Sequence, residues 1–130
     1  MVFPRGSVAV PPSHPEFLID ARGAERAYAT RGETVYALRG IDLQIRAGEY
    51  VSLMGPSGSG KTTFFNLIGA LDFPTGGEIL LGGRNLRELA AAELAYLRCA
   101  NLGYIFQNYN LVEVLTARQN VMLPMRFLGL

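Results

Sequence analysis

From Phe17 onward the sequence alternates short apolar runs with breaks of glycine, proline and polar residues, and the spacing within each run predicts an element. Phe17-Leu18-Ile19 opens a strand. Val35 to Ile45 predicts another, with Leu43 and Ile45 set against Asp42 and Gln44 so that one face is wet. Ala47-Gly48-Glu49 turns the chain. Tyr50-Val51-Ser52-Leu53-Met54 is then mostly apolar between turn signals, the pattern of a buried strand in a parallel sheet. Beyond a glycine-rich stretch the period lengthens. Phe64, Phe65, Leu67, Ile68 and Leu71 share one helical face and predict a helix over 62–71, stopped by Asp72 and Pro74. Glu78 to Leu81 predicts a strand closed by Gly82-Gly83, and the alanine-rich stretch from Leu86 to Leu97 a helix. Leu102 to Phe106 predicts a second buried strand ending at Gln107. A polar-aromatic loop follows to Leu115, and Thr116 would cap a last helix from Ala117. Residues 1–16 hold four of the seven prolines and little apolar pattern, so they are expected to form a flexible tail before a domain over 17–130.

Composition narrows the possible functions. At 130 residues the chain suits one domain or part of one. Its 12 basic and 11 acidic residues leave a formal charge of +1, which gives no support for a nucleic-acid partner. Cys99 is the only cysteine, so neither a disulfide framework nor a cysteine zinc site is available, and it is expected to pack as a small hydrophobe. The only histidine, His14, lies in the proline-rich tail, which leaves chemistry based on a core histidine without a candidate. No signal peptide opens the sequence, and no window has the apolar length of a membrane span.

The glycine-rich stretch carries the chemistry. Gly55-Pro56-Ser57-Gly58-Ser59-Gly60-Lys61-Thr62-Thr63 matches the P-loop pattern G-x-x-x-x-G-K-[ST] in full. Phosphate is a dense anion. Gly55, Gly58 and Gly60 let the backbone curl so that successive amides, with those of Ser57 and Ser59, point inward at phosphate oxygens. The helix that starts there offers free N–H groups and the positive end of its dipole. Lys61 supplies a compact positive charge for the β- and γ-phosphates. The Thr62 hydroxyl is a hard oxygen ligand for Mg2+, and Thr63 adds a hydroxyl near the α-phosphate. The nucleotide is expected to be ATP. Hydrolysis would also need an acidic residue at the end of another strand. Asp20 superficially offers one, but it precedes the P-loop and is followed by Ala21, so it is expected to mark a strand ending in a turn. No apolar run after Gly60 ends in Asp or Glu, and the hydrolytic apparatus looks incomplete.

Several segments, in order, resemble the ATP-binding subunit of an ABC transporter. The loop at 55–63 is similar to that family's Walker A motif. Leu71-Asp72-x-Pro74-Thr75-x-Gly77-Glu78-Ile79 is similar to the stretch after it. Leu102 to Gln107, Asn110-Leu111, Leu115-Thr116-Ala117 and Asn120-Val121 resemble its Q-loop region, and Ala37 to Leu43 with Gly48-Glu49 its opening strands. The subgroup most resembled is that of lipoprotein-release and macrolide-type exporters. The run Arg118-Gln119 departs from the family, which often has an acidic residue before the asparagine.

The resemblance implies an α/β fold: a P-loop NTPase core with an N-terminal antiparallel β subdomain, stopping before the signature motif and Walker B. It implies that Tyr28 stacks on adenine, with Tyr36 the rival, and that Gln107 reaches magnesium or the attacking water. It implies ATP and Mg2+ as ligands, a second copy of the subunit and a transmembrane permease as partners, and a cytoplasmic place for this chain, held at the cytoplasmic face of the membrane by its permease. Residues 108–115 would lie near the permease. The motifs that complete hydrolysis belong to the part of such a domain beyond the stretch resembled, so this chain alone is expected to bind ATP with little or no turnover. The alternative is a non-catalytic nucleotide-binding or regulatory module of this length. A kinase or GTPase finds no second-substrate or guanine-reading motif in the sequence.

Overall fold

The computed structural model describes residues 16–106 and 108–127. The chain divides between Leu89 and Ala90 into two compact units. In the first, β1 (Ile19–Ala29), β2 (Thr34–Ile45), β3 (Gly76–Leu81) and the short β4 (Arg84–Asn85) form an antiparallel sheet in the order β2-β1-β3-β4. A tight hairpin joins β1 to β2, with the Thr30 amide donating to Glu33 O at 2.9 Å. Tyr28 pairs with Val35 and Ala27 with Tyr36, so Tyr28 and Tyr36 are both strand residues. The helix α1 (Lys61–Ile68) packs against β1, β2 and β3. Ala21, Ala24, Leu38, Phe64, Leu67, Ile79, Leu81 and Leu86 make the core of this unit.

Helix α1 is shorter than its periodicity predicts. It stops at Gly69, and Phe65 and Leu71 are about half exposed. A larger difference concerns the two buried strands. Residues 50–54 and 102–106 take no strand pairing among the described residues. Tyr50 is 98% exposed, Met54 90% and Ile105 fully so. The physical reason is that a parallel strand exists only through ladder bonds to neighbours on its edges. The sheet formed here is antiparallel and includes neither run, so apolar sequence alone does not hold them in strand form.

Asp20 also departs from expectation. It does not end a strand; β1 runs on through it to Ala29, and its side chain is 8% exposed. Arg22 donates to Asp20 Oδ2 from Nε at 2.9 Å and from Nη2 at 2.6 Å, and Gln44 Nε2 donates to Oδ1 at 3.2 Å. Arg22 Nη1 reaches on to Glu78 at 3.0 Å, so the network ties β1, β2 and β3 together. The Arg22 hydrogen bonds hold the Asp20 carboxyl below its ordinary value, helped by Gln44 and opposed by burial. A carboxylate shifted down in the folded state stabilises fully above its unfolded pKa of about 3.9, and that contribution is lost as pH falls through the folded value. Asp20→Asn should therefore lower the urea midpoint at neutral pH and flatten its fall on acidification. An unchanged acid limb would show that Asp20 contributes nothing to it.

In the second unit, α2 (Ala91–Asn101) begins where the Glu93 carboxylate accepts the Ala90 amide at 2.9 Å. The predicted single helix from Leu86 is instead a 3-10 turn over Leu86–Glu88 followed by α2. Helix α3 (Ala117–Phe127) starts as expected after Thr116. Thr116 N donates to Gln119 Oε1 at 2.8 Å, while Gln119 N donates to Thr116 Oγ1 at 3.3 Å. Gln119 thus closes a reciprocal capping box through its amide oxygen, a bond that needs no charge. Asn120 then fastens the preceding loop, accepting from Val112 N at 2.8 Å and donating to Leu115 O and Thr116 O at 3.1 Å each.

Candidate phosphate-binding site

Glycine sets the geometry of the P-loop. Gly58 and Gly60 have φ of +78° and +87°, backbone that L side chains rarely adopt. Gly60 is also wedged against β2. A Cβ there would stand 2.7 Å from Ala37 O and 2.9 Å from Leu38 Cδ2, closer than any such contact allows. As N-cap of α1, Gly60 accepts the Phe64 amide at 2.8 Å but has no side chain to cap the first turn. The amides of that turn thus lack the capping oxygen most helices carry. The first turn contains no acidic residue.

Lys61 opens α1, and its ammonium turns back onto the loop. Nζ donates to Gly55 O at 2.8 Å, Pro56 O at 2.6 Å and Ser59 Oγ at 3.2 Å. Among the described residues no carboxylate bonds to the loop. Lys61 is therefore a cation paired only with neutral oxygens, over an uncapped helix terminus: a donor set that fits an anion. Ser57, Ser59 and Thr62 are exposed, and Thr63 is half-buried. The structure brings Gly55, Ser57, Gly58, Ser59, Gly60, Lys61, Thr62 and Thr63 into this one loop and helix start. Gln107 lies outside the described residues.

Tyr28 stands on β1, one strand away from the β2 segment that backs Gly60. Its hydroxyl donates to Asp72 Oδ2 at 3.1 Å. Tyr36 lies across from Ala27 and is 55% exposed. Of the two residues against Tyr28, Arg26 went unnoticed in the sequence and Asp72 was read only as a helix stop and part of the stretch after the P-loop; only the i, i+2 spacing of Arg26 and Tyr28 along a strand could have flagged the first. Among the described residues no group of three His, Cys, Asp or Glu side chains is placed to hold a metal. No helix there is long and apolar enough to cross a membrane.

An antiparallel sheet, a glycine loop and a helix whose open amino terminus carries the loop lysine define a P-loop α/β domain. The ABC transporter family model matches residues 38–127, and the chain belongs to that family. It is 47% identical over 113 residues to the pyoverdine export ATP-binding/permease protein PvdT of Pseudomonas syringae pv. tomato, covering 86% of this chain and 17% of that one. It is 46% identical to the macrolide export ATP-binding/permease protein MacB of Wolinella succinogenes, with the same coverage. It is 43% identical to the ABC transporter ATP-binding protein MJ0796 of Methanocaldococcus jannaschii, covering 85% of this chain and 47% of that one. The dimeric, post-hydrolysis structure of MJ0796 bound to ADP and Pi superposes with a TM-score of 0.80 at 42% identity, over 84% of this chain and 47% of that one. The chain thus spans about half of one relative and about a sixth of the others. It corresponds to part of the ATP-binding component.

Proposed function

We propose that this chain grips MgATP through its P-loop, as part of an ABC transporter component that energises export. The open amino terminus of α1, with Lys61 beside it and no acid in its first turn, carries the reading. Loop amides and Lys61 would hold the β- and γ-phosphates, with Lys61 exchanging its loop-carbonyl bonds for phosphate oxygens. Thr62 would ligate the magnesium ion, which supplies charge neutralisation between the phosphates. Tyr28 would take the adenine. Gln107 joins the proposal through the family resemblance, on the magnesium or the attacking water. The MJ0796 structure is a dimer, and PvdT and MacB are named as ATP-binding/permease proteins. By that analogy a second ATP-binding copy and a transmembrane permease are the proposed partners, the permease holding this chain at the cytoplasmic face of the membrane. By the family resemblance, the chain on its own would bind ATP with little or no turnover.

Magnesium-dependent binding of a ribose-labelled ATP, for this chain and for Lys61→Ala, tests the reading. Losing a charge-assisted bond worth about 1.5–3 kcal/mol should weaken binding roughly ten- to a hundredfold. Equal affinity of the two proteins would reject the site.

A further inference from the structure

Arg26, Tyr28 and Asp72 form a closed cluster that phosphate binding does not explain. The Arg26 guanidinium carbon lies 4.6 Å from the centre of the Tyr28 ring. Arg26 Nη2 pairs with Asp72 Oδ1 at 2.9 Å, and the Tyr28 hydroxyl donates to Asp72 Oδ2 at 3.1 Å. Asp72 Oδ1 also accepts the Phe73 amide at 2.8 Å, so the carboxylate is fixed on both oxygens. Its own amide donates to Asn66 O at 3.2 Å, which anchors Asp72 to the P-loop helix α1. Arg26 and Tyr28 belong to β1. The cluster therefore joins the element that carries the P-loop lysine to the strand that carries the tyrosine.

Its construction is costly for a merely decorative contact. The Arg26 side chain is only 22% exposed, and its Nε is buried with no hydrogen-bond partner. An unsatisfied buried donor calls for an explanation. Tyr28, by contrast, keeps 37% exposure although one ring face is covered by the guanidinium and its hydroxyl is tied. The guanidinium occupies one face of the ring, so a stacking base would have to take the other. Tyr28 pairs with Val35, and Ala37, two residues further along β2, is the residue whose carbonyl backs Gly60. With strands spaced about 4.8 Å apart and a rise of about 3.3 Å per residue, the tyrosine backbone stands roughly 8 Å from that point. A nucleoside can bridge such a gap.

We propose that Arg26 and Asp72 are positioning residues that lock the Tyr28 ring, one face on the guanidinium, so that its other face receives the base of a nucleotide held at the P-loop. This rests on the reading above, in which Tyr28 takes the adenine, and adds to it the two residues that hold the ring. A ring fixed in advance loses little rotamer entropy when the base stacks. The clamp therefore acts on the base and not on the phosphates.

Titration calorimetry of the full 130-residue chain with MgATP and with magnesium tripolyphosphate separates the two. In both Arg26→Met and Asp72→Asn, MgATP affinity should fall about three- to tenfold while tripolyphosphate affinity stays unchanged. Arg26→Lys, which keeps a cation but not the fork, should recover part of the loss. Unchanged or improved ATP binding by Arg26→Met would overturn the clamp, because the guanidinium would then be a bystander or occupy the place of the base. Equal loss of both ligands would overturn it too, leaving Arg26 a support of the fold. Wild-type protein that prefers ATP no more than tripolyphosphate would reject the clamp and spare the P-loop site. Wild-type protein that binds neither would remove the site and the clamp with it.

Discussion

Gly77→Ala is expected to cost the first unit a large part of its stability, while Gly48→Ala costs far less. Gly77 sits near the start of β3 with φ of +67°. A Cβ there would lie inside contact distance of the Gly23 and Arg22 carbonyl oxygens of β1. These atoms are backbone, so no side-chain rotation can relieve the clash. The pairing of β1 with β3 shifts register between Arg22 and Glu25, and Gly77 fits against that irregularity. A left-handed backbone costs a non-glycine residue about 1–2 kcal/mol, and overpacking adds about 1–3 kcal/mol. The sum, about 2–5 kcal/mol, approaches half of the 5–15 kcal/mol that usually holds a domain together. Gly48 has φ of +82° with nothing within 4 Å of its Cβ position, so its substitution should show the conformational cost alone. Urea denaturation would read the gap as a difference in midpoint at constant slope. Equal midpoints for the two variants would mean that β1 and β3 can part at Gly77 without loss.

Gly77 also illustrates what the sequence reveals and what it hides. As one of a glycine pair before Glu78 it signals a turn, yet both glycines lie inside β3, with Gly76 paired to Glu25 of β1. Its role in letting two strands touch depends on a bulge in β1 some fifty residues away, and no local pattern encodes that. The strand β2 and the helix α3 were legible because alternation and capping are local, whereas β1 was read only at its opening. The P-loop was legible because its glycines, lysine and threonine are contiguous. Residues 50–54 and 102–106 were misread because burial of an apolar run is a property of its neighbours. Asp20 was misread for a related reason: a carboxylate inside a strand looks like an ending until Arg22 and Gln44 are seen around it. The cluster at Tyr28 was the least legible part of the site, since Asp72 lies 44 residues from the tyrosine it holds.

Gly60→Ala should abolish most nucleotide binding while leaving the sheet folded, and Gly58→Ala should not. Both residues have positive φ, so both substitutions carry a similar conformational cost. They differ in their surroundings. At Gly58 a Cβ meets nothing within 4 Å, whereas at Gly60 it meets Ala37 O and Leu38 Cδ2. Leu38 is a buried core residue, so the atom that must yield is the backbone of α1 rather than that of β2. Moving Gly60 outward shifts the amides of the first turn and carries Lys61 with them, because Lys61 is the next residue. Every proposed phosphate contact would then be displaced together. If the bound form must recover about 1–3 kcal/mol of strain on top of that displacement, MgATP binding should weaken at least about tenfold. Equilibrium binding with circular dichroism on the same samples would check it. Retained binding by Gly60→Ala would mean that the loop can grip phosphate without its seat on β2. Loss by both variants, with secondary structure intact, would place the requirement in the loop conformation alone.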